Sequence, residues 1–261
     1  MGLLDAVAFL TRIPVPVSRS RVPDLARATV WFPLVGAVLG AVLLGLGTAL
    51  TGPLTVLVAA VLVVVLELVV TGALHLDGLA DVTDGLGGRD RGTRLRIMKD
   101  SATGVYGAAA VVLCLVLEVA LLVALLDGAT AAVPPTWLLP GLPAWAGVAL
   151  VGATAWSLSR AAMLPVALAL PYARAEGTGR TVVEGLAPRH TLLAWVVPVV
   201  LCAVLGTTGA AMLLAALLAT AGVGALARRT LGGATGDVLG ATAQVALLAA
   251  LLAAVADLPT A

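Results

Sequence analysis

The stretch LTVLVAAVLVVVLELVVTGALHLDGLADVTDGLGG, Leu54–Gly88, decides the fold. Its first part, Leu54–Leu74, holds one charged residue, Glu67, and has the roughly 20 apolar residues that a helix needs to cross a hydrocarbon core about 30 Å thick. Its second part then places Asp77, Asp81 and Asp84 in quick succession. An apolar run that ends in carboxylates is a membrane helix arriving at a polar edge. The rest of the chain agrees: 61% of the residues are hydrophobic, 11% are charged, and the mean hydropathy is +1.12. Soluble domains run at about 25% charged residues, so an ordinary water-soluble globule is excluded, and so is a disordered chain. The 261 residues leave room for about six to eight crossings.

Seven segments qualify by length and scarcity of charge: Phe32–Leu50, Leu54–Leu74, Val105–Leu126, Ala144–Leu170, Leu192–Thr207, Ala210–Ala227 and Ala241–Ala256. The expected fold is all-α, a polytopic membrane helix bundle forming a single integral membrane domain over residues 1–261. Residues 1–30 form an N-terminal interfacial segment. The stretch Leu3–Leu10, interrupted by Asp5 and followed by Arg12, is too short for a secretory signal and reads as an amphipathic segment at the membrane surface. Cys114 and Cys202 fall inside apolar runs and read as small buried hydrophobes.

The charges orient the bundle. The 15 basic and 14 acidic residues cancel to +1, which gives nucleic acid no reason to bind. Of the basic residues, 14 lie in alternate connections: Arg12, Arg19, Arg21 and Arg27; Arg89, Arg91, Arg94, Arg96 and Lys99; Arg174, Arg180 and Arg189; Arg228 and Arg229. The connections between them hold none. The positive-inside rule puts the rich side, and with it the N-terminus, in the cytoplasm, as expected for a multi-pass protein of a cell inner membrane. Ten of the 14 acids sit on the same side, so the polar chemistry is expected there, in segments 75–104, 171–191 and 228–240.

Asp77, Asp81 and Asp84 stand at i, i+4 and i+7, within about 60° of one another on a helix. Three carboxylates on one face repel unless protonated or bridged by a cation, and an all-oxygen set without a His/Cys cluster points to Mg²⁺ or Mn²⁺. The bland alternative is a solvated polar cap on the second crossing. His75 either orients a carboxylate or contacts a phosphate, or simply reaches for water. The next stretch, RDRGTRLRIMKDSATGVYG (Arg89–Gly107), has five cations and two acids. Metal-holding carboxylates beside arginines suit phosphoryl transfer, although topology alone accounts for part of the arginines. Asp100 is a fourth candidate ligand, and Lys99 and Ser101 are candidate phosphate contacts.

At these residues the chain resembles the cobalamin synthase (adenosylcobinamide-GDP ribazoletransferase) family. The resemblance starts with FLTRIPVP (Phe9–Pro16) and WFPLVGAVLG (Trp31–Gly40) and continues with TGALHLDGLADVTDG (Thr71–Gly85) and RIMKDSATGVYG (Arg96–Gly107). It ends with LPYARAEGTG (Leu170–Gly179) and RTLGGATGDVLGA (Arg229–Ala241). Arg96 and Gln244 stand where the family often has acidic residues. The resemblance implies a Mg²⁺-dependent enzyme that joins α-ribazole, or its 5′-phosphate, to adenosylcobinamide-GDP and releases GMP. Asp77, Asp81 and Asp84 would then hold the metal, and one of them or Asp100 would take the hydroxyl proton. The spacing is also similar to the aspartate cluster of CDP-alcohol phosphotransferases. Oligomers, or a complex with other cobalamin-assembly enzymes, fit the same setting.

Beside that resemblance, Tyr172, Arg174 and Glu176 read as substrate contacts, as do Arg229, Thr235 and Asp237 in the glycine-rich stretch near the last crossing. Arg160, Glu67 and Glu118 lie inside crossings, where an ionisable group usually has a partner or a function. A buried Arg160–Glu pair is one reading; Arg160 reaching a substrate cavity is the other. A transporter would instead place its binding groups at mid-bilayer on broken helices, whereas here the acids gather at one rim.

Overall fold

A helix apolar on every face has no polar side to turn to water, and seven such helices in one chain, each satisfying its own backbone, leave apolar surface that lipid covers. The computed structural model describes residues 2–16, 24–128, 143–174, 176–177 and 179–257; Arg19 and Arg21 lie outside the described residues. The elements are α1 (Gly2–Leu10), then α2 (Leu25–Ala28), which runs through a 3₁₀ turn at Thr29–Trp31 into α3 (Phe32–Leu50). Next come α4 (Val56–Thr71), α5 (Leu74–Leu86), α6 (Arg91–Ile97), α7 (Val105–Gly128) and α8 (Ala144–Ala169). The chain ends with α9 (Gly179–Gly185), α10 (Pro188–Leu205), α11 (Thr207–Thr230) and α12 (Gly236–Ala256).

The seven expected crossings correspond to α3, α4, α7, α8, α10, α11 and α12. Six of them are long and apolar enough by themselves; α4 passes only together with α5, from which it is bent by 89°. The second expected crossing therefore stops at Thr71 rather than Leu74. Its stop has a local cause: Gly72 and Ala73 both adopt left-handed backbone, at φ 64° and 56°. Glycine takes that conformation freely, and alanine only under constraint. Arg12 supplies part of the constraint. Its N–H donates to the Val70 carbonyl at 2.7 Å, and its side chain lies across Gly72 where a Cβ would be. The amphipathic N-terminal segment is thus α1, packed on α2 and α3 with Asp5, Ala6 and Leu10 buried. The later crossings begin earlier than expected, because Pro188 starts α10 at a position where its missing N–H costs nothing, and Thr235 caps α12 with its hydroxyl.

The hub is α8, buried from Val151 through Leu164 and packed against α3, α10, α11 and α12. Outward-facing stripes such as Val38, Val42 and Leu46 on α3 stay exposed, as lipid-facing residues should. The α3–α8 crossing is close because Gly40 and Gly152 face each other, and a Cβ on either would overlap the other's carbonyl group. Gly45, one turn further along α3, has nothing within 4 Å of its would-be Cβ. Gly40→Ala should therefore lower stability in a detergent melt by about 1–3 kcal/mol. Gly45→Ala should be neutral or stabilising by up to about 1 kcal/mol. Equal effects of the two would refute the close crossing.

Candidate active site

The corner between α4 and α5 sends α5 across the end of the bundle and over the start of α12. The crossing point is Gly78, whose would-be Cβ lies 2.7 Å from the Asp237 carbonyl oxygen and 3.2 Å from the Gly240 Cα. Any side chain there would push the two helices apart, so Asp77 and Asp81 come close to Asp237 because Gly78 has none. Thr235 fixes the first turn of α12: its Oγ1 accepts the Val238 N–H at 3.2 Å, and its hydroxyl donates to Asp237 Oδ2 at 3.3 Å.

A short parallel bridge brings the loop after α8 to the same place. The Ala173 N–H donates to the Ala234 carbonyl at 2.8 Å, and the Ala234 N–H donates to the Pro171 carbonyl at 2.9 Å. Arg174 is thereby held 2.7 Å from Asp237 Oδ2, and it also donates to the Met98 carbonyl at 3.2 Å. Tyr172 lies half-buried beside it, and burial raises its hydroxyl pKa against the pull of the Arg174 charge. Two segments expected separately, 171–191 and 228–240, thus form one wall.

Asp81 carries the electrostatic load of this arrangement. Burial first, then the charges of Asp237 and Asp77, push its pKa from an ordinary 3.8 to about 7, against the opposing pull of Arg174. Asp84 does something else. Its two carboxylate oxygens accept the N–H groups of Gly104 and Gly107, each at 2.7 Å, and so cap the start of α7. The expected metal triad of Asp77, Asp81 and Asp84 is therefore not one preformed cluster; among the described residues no group of three or more His, Cys, Asp or Glu side chains is arranged to hold an ion. The reason is reach: one turn beyond Asp81, Asp84 faces the start of α7. Magnesium usually takes only one or two carboxylates, together with water and substrate phosphates, so Asp77 and Asp81 could hold it with Asp237 nearby.

The remaining candidates divide. His75 is buried and lines a cavity beside Asp77 and Asp237. Asp100 closes a local turn by accepting the Ala102 N–H at 3.0 Å. Lys99, Ser101, Glu176 and Arg229 are exposed, and among the described residues no hydrogen bond or ion pair joins them to the aspartates. Arg160 does not reach the cavity. It is 1% exposed, lies 3.7 Å from Glu67 and donates to the Ser159 hydroxyl at 2.9 Å. Glu67 also accepts the Trp156 indole N–H at 2.7 Å. Reaching a cavity would strand Glu67 deep in the bundle, so the pair prevails over the substrate contact expected of Arg160. Glu118 accepts instead from the Gln244 amide at 3.2 Å, a donor that a glutamate at that position could provide only when protonated.

Some residues escaped the sequence reading. Arg91 donates to the Ala173 carbonyl at 3.3 Å, and Arg94 donates to the Gly88 and Thr230 carbonyls at 2.9 and 3.2 Å. These two arginines tie the loops together rather than waiting for phosphate, and nothing in a run of basic residues marks which will do so. Phe9 and Phe32, stacked with ring centroids 5.5 Å apart, form part of the cavity wall; only the motif FLTRIPVP pointed at Phe9.

A family model described as cobalamin-5-phosphate synthase matches residues 2–255. The chain belongs to the cobalamin-5-phosphate synthase family. A Sinorhizobium medicae protein named adenosylcobinamide-GDP ribazoletransferase is 42% identical over 96% of this chain and 95% of its own length. Proteins with the same name from Azorhizobium caulinodans and Pseudomonas syringae are 40% and 38% identical, each over 95% of this chain and over 92% and 96% of their own lengths. No solved structure matches. The cobalamin-5-phosphate synthase match runs from α1 nearly to the end of α12, so it takes in the α4–α5 corner, both loops and every aspartate at the site.

The raised pKa of Asp81 has a measurable consequence. Between pH 3.8 and about 7 the folded protein holds a proton that the unfolded chain releases, so this group's contribution falls as pH rises through 7. In metal-free buffer, the melting temperature of Asp81→Asn should gain on that of the wild type between pH 5 and pH 8. A difference that does not change with pH would show that Asp81 is not crowded.

Proposed function

We propose that this chain is an adenosylcobinamide-GDP ribazoletransferase of a cell membrane, working on the cytoplasmic face, with Mg²⁺ held by Asp77 and Asp81. The observation that carries the reading is the meeting of Asp77 and Asp81 with Asp237 and Arg174 beside a partly open cavity. It occurs in a chain that matches relatives of that name over 95% and 96% of their length. Oxygen-only donors with an excess of negative charge at Asp81 fit a hard divalent cation. The side is supported by the 14 basic residues that gather in the connections on the aspartates' side.

The reaction is a displacement: a ribose hydroxyl of α-ribazole attacks the phosphorus attached to the cobinamide, the diphosphate bridge breaks, and GMP leaves with the bridging oxygen. When bound, Mg²⁺ would neutralise diphosphate oxygens and the charge that develops on GMP. The protein's own groups do the rest. A carboxylate oxygen that the ion leaves free, on Asp77 or Asp81, would take the hydroxyl proton. Arg174, fixed by Asp237 and the Met98 carbonyl, presents a guanidinium to phosphate oxygens in an orientation set before substrate arrives. Asp84 holds the amino end of α7 against α5 and so keeps the exposed segment of Lys99 and Ser101 at the rim.

Purified protein given adenosylcobinamide-GDP, α-ribazole and Mg²⁺ should release GMP, and chelation should stop it. Asp81→Asn should fold normally and lose about 100-fold or more in kcat. GMP release by Asp81→Asn near the wild-type rate would remove Asp81 from the mechanism, and no release by the wild type under any divalent metal would remove the transferase reading.

A further inference from the structure

The cavity beside the aspartates has a composition of its own. It is partly open and offers about 120 Å³, room for one small flat ring system and for nothing the size of a nucleotide. Of its fifteen lining residues only His75, Asp77 and Asp237 have polar side chains, and Asp237 is already engaged by Arg174. The rest of the wall is apolar or glycine, with the stacked pair Phe9 and Phe32 on one side and Met163 and Ala167 of α8 on another. We infer that this cavity is the pocket for the benzimidazole base of α-ribazole, with the ribose leaving it beside Asp77. The inference rests on the transferase reading and adds which substrate takes the cavity.

Size and polarity both select that base. The corrin ring with its amide arms and nucleotide is several times too large for the space. Guanine carries donors and acceptors all along its edge, more than His75 and Asp77 can pair once Asp237 is taken by Arg174, and each one left over costs about 1–3 kcal/mol. A methylated benzimidazole is flat, fused and apolar around most of its edge. It suits aromatic and thioether walls, which attract through ring contacts and sulfur–aromatic contacts. Asp77 belongs both to the cavity wall and to the carboxylate group around Asp81, so a nucleoside seated base-inward places its ribose at the acids that would activate it.

The test is steady-state GMP release with each substrate varied in turn. Ala167→Phe narrows the cavity and should raise the KM for α-ribazole about 10-fold or more while leaving that for adenosylcobinamide-GDP within about twofold. Met163→Ala widens it and should raise the kcat/KM ratio of a ring-extended naphthimidazole riboside over α-ribazole by a similar factor; this gain of selectivity also decides the matter should Ala167→Phe fail to fold. A rise confined to the KM for adenosylcobinamide-GDP, or no change of selectivity in Met163→Ala, would overturn the assignment while the wild type still releases GMP. A wild type that releases none would overturn the transferase reading and this one with it.

Discussion

A helix continuing straight from Val56 to Leu86 would be about 46 Å long and would carry Asp77 about 9 Å and Asp84 about 20 Å past Thr71, out into solvent. The 89° corner at Gly72 and Ala73 prevents this and lays the same carboxylates across the end of the bundle. Each arm of the corner is pinned. On the α4 side, Glu67 is fixed to α8 through the Trp156 indole and the Arg160 guanidinium, a polar contact inside an apolar bundle that would be costly to break. On the α5 side, Gly78 lets the helix rest on α12, and Asp84 grips the start of α7. Arg12, two residues past the end of α1, closes the corner from outside.

The corner also explains how acids can be crowded without the fold coming apart. Asp77, Asp81 and Asp237 share one small region at the edge of the bundle, and Arg174 is the cation that structure supplies against them. One guanidinium leaves an excess of negative charge, visible in the proton affinity of Asp81. Such an excess suits a site that receives a metal–diphosphate pair and would be a liability anywhere else.

Much of this was legible in the residues. Hydropathy and the alternation of basic residues found the crossings because lipid imposes length and charge side independently of how helices pack, and α3 matched from Phe32 to Leu50. The i, i+4, i+7 spacing put Asp77, Asp81 and Asp84 on one helix. Spacing along one helix cannot report which neighbour each residue meets. It gave no sign that Asp84 would cap α7, that Asp237 would take its place beside Asp81, or that the second crossing would turn at Gly72 rather than run to Leu74. Arg160 shows the same limit: the sequence placed it inside a crossing with two glutamates in reach, and only packing chose Glu67. The cavity was the least legible feature, because Phe9, Met163 and Ala167 look like any other apolar residues in such a chain.

The central claim is that Asp77 and Asp81, and not Asp84, hold the divalent ion. Mn²⁺ in place of Mg²⁺ allows the bound ion to be counted by electron paramagnetic resonance in the presence of adenosylcobinamide-GDP. The account predicts one bound Mn²⁺ in the wild type and in Asp84→Asn, with binding lost or weakened about 10-fold or more in Asp77→Asn and Asp81→Asn. Equal loss in all three variants, or a wild type that binds no Mn²⁺, would contradict it.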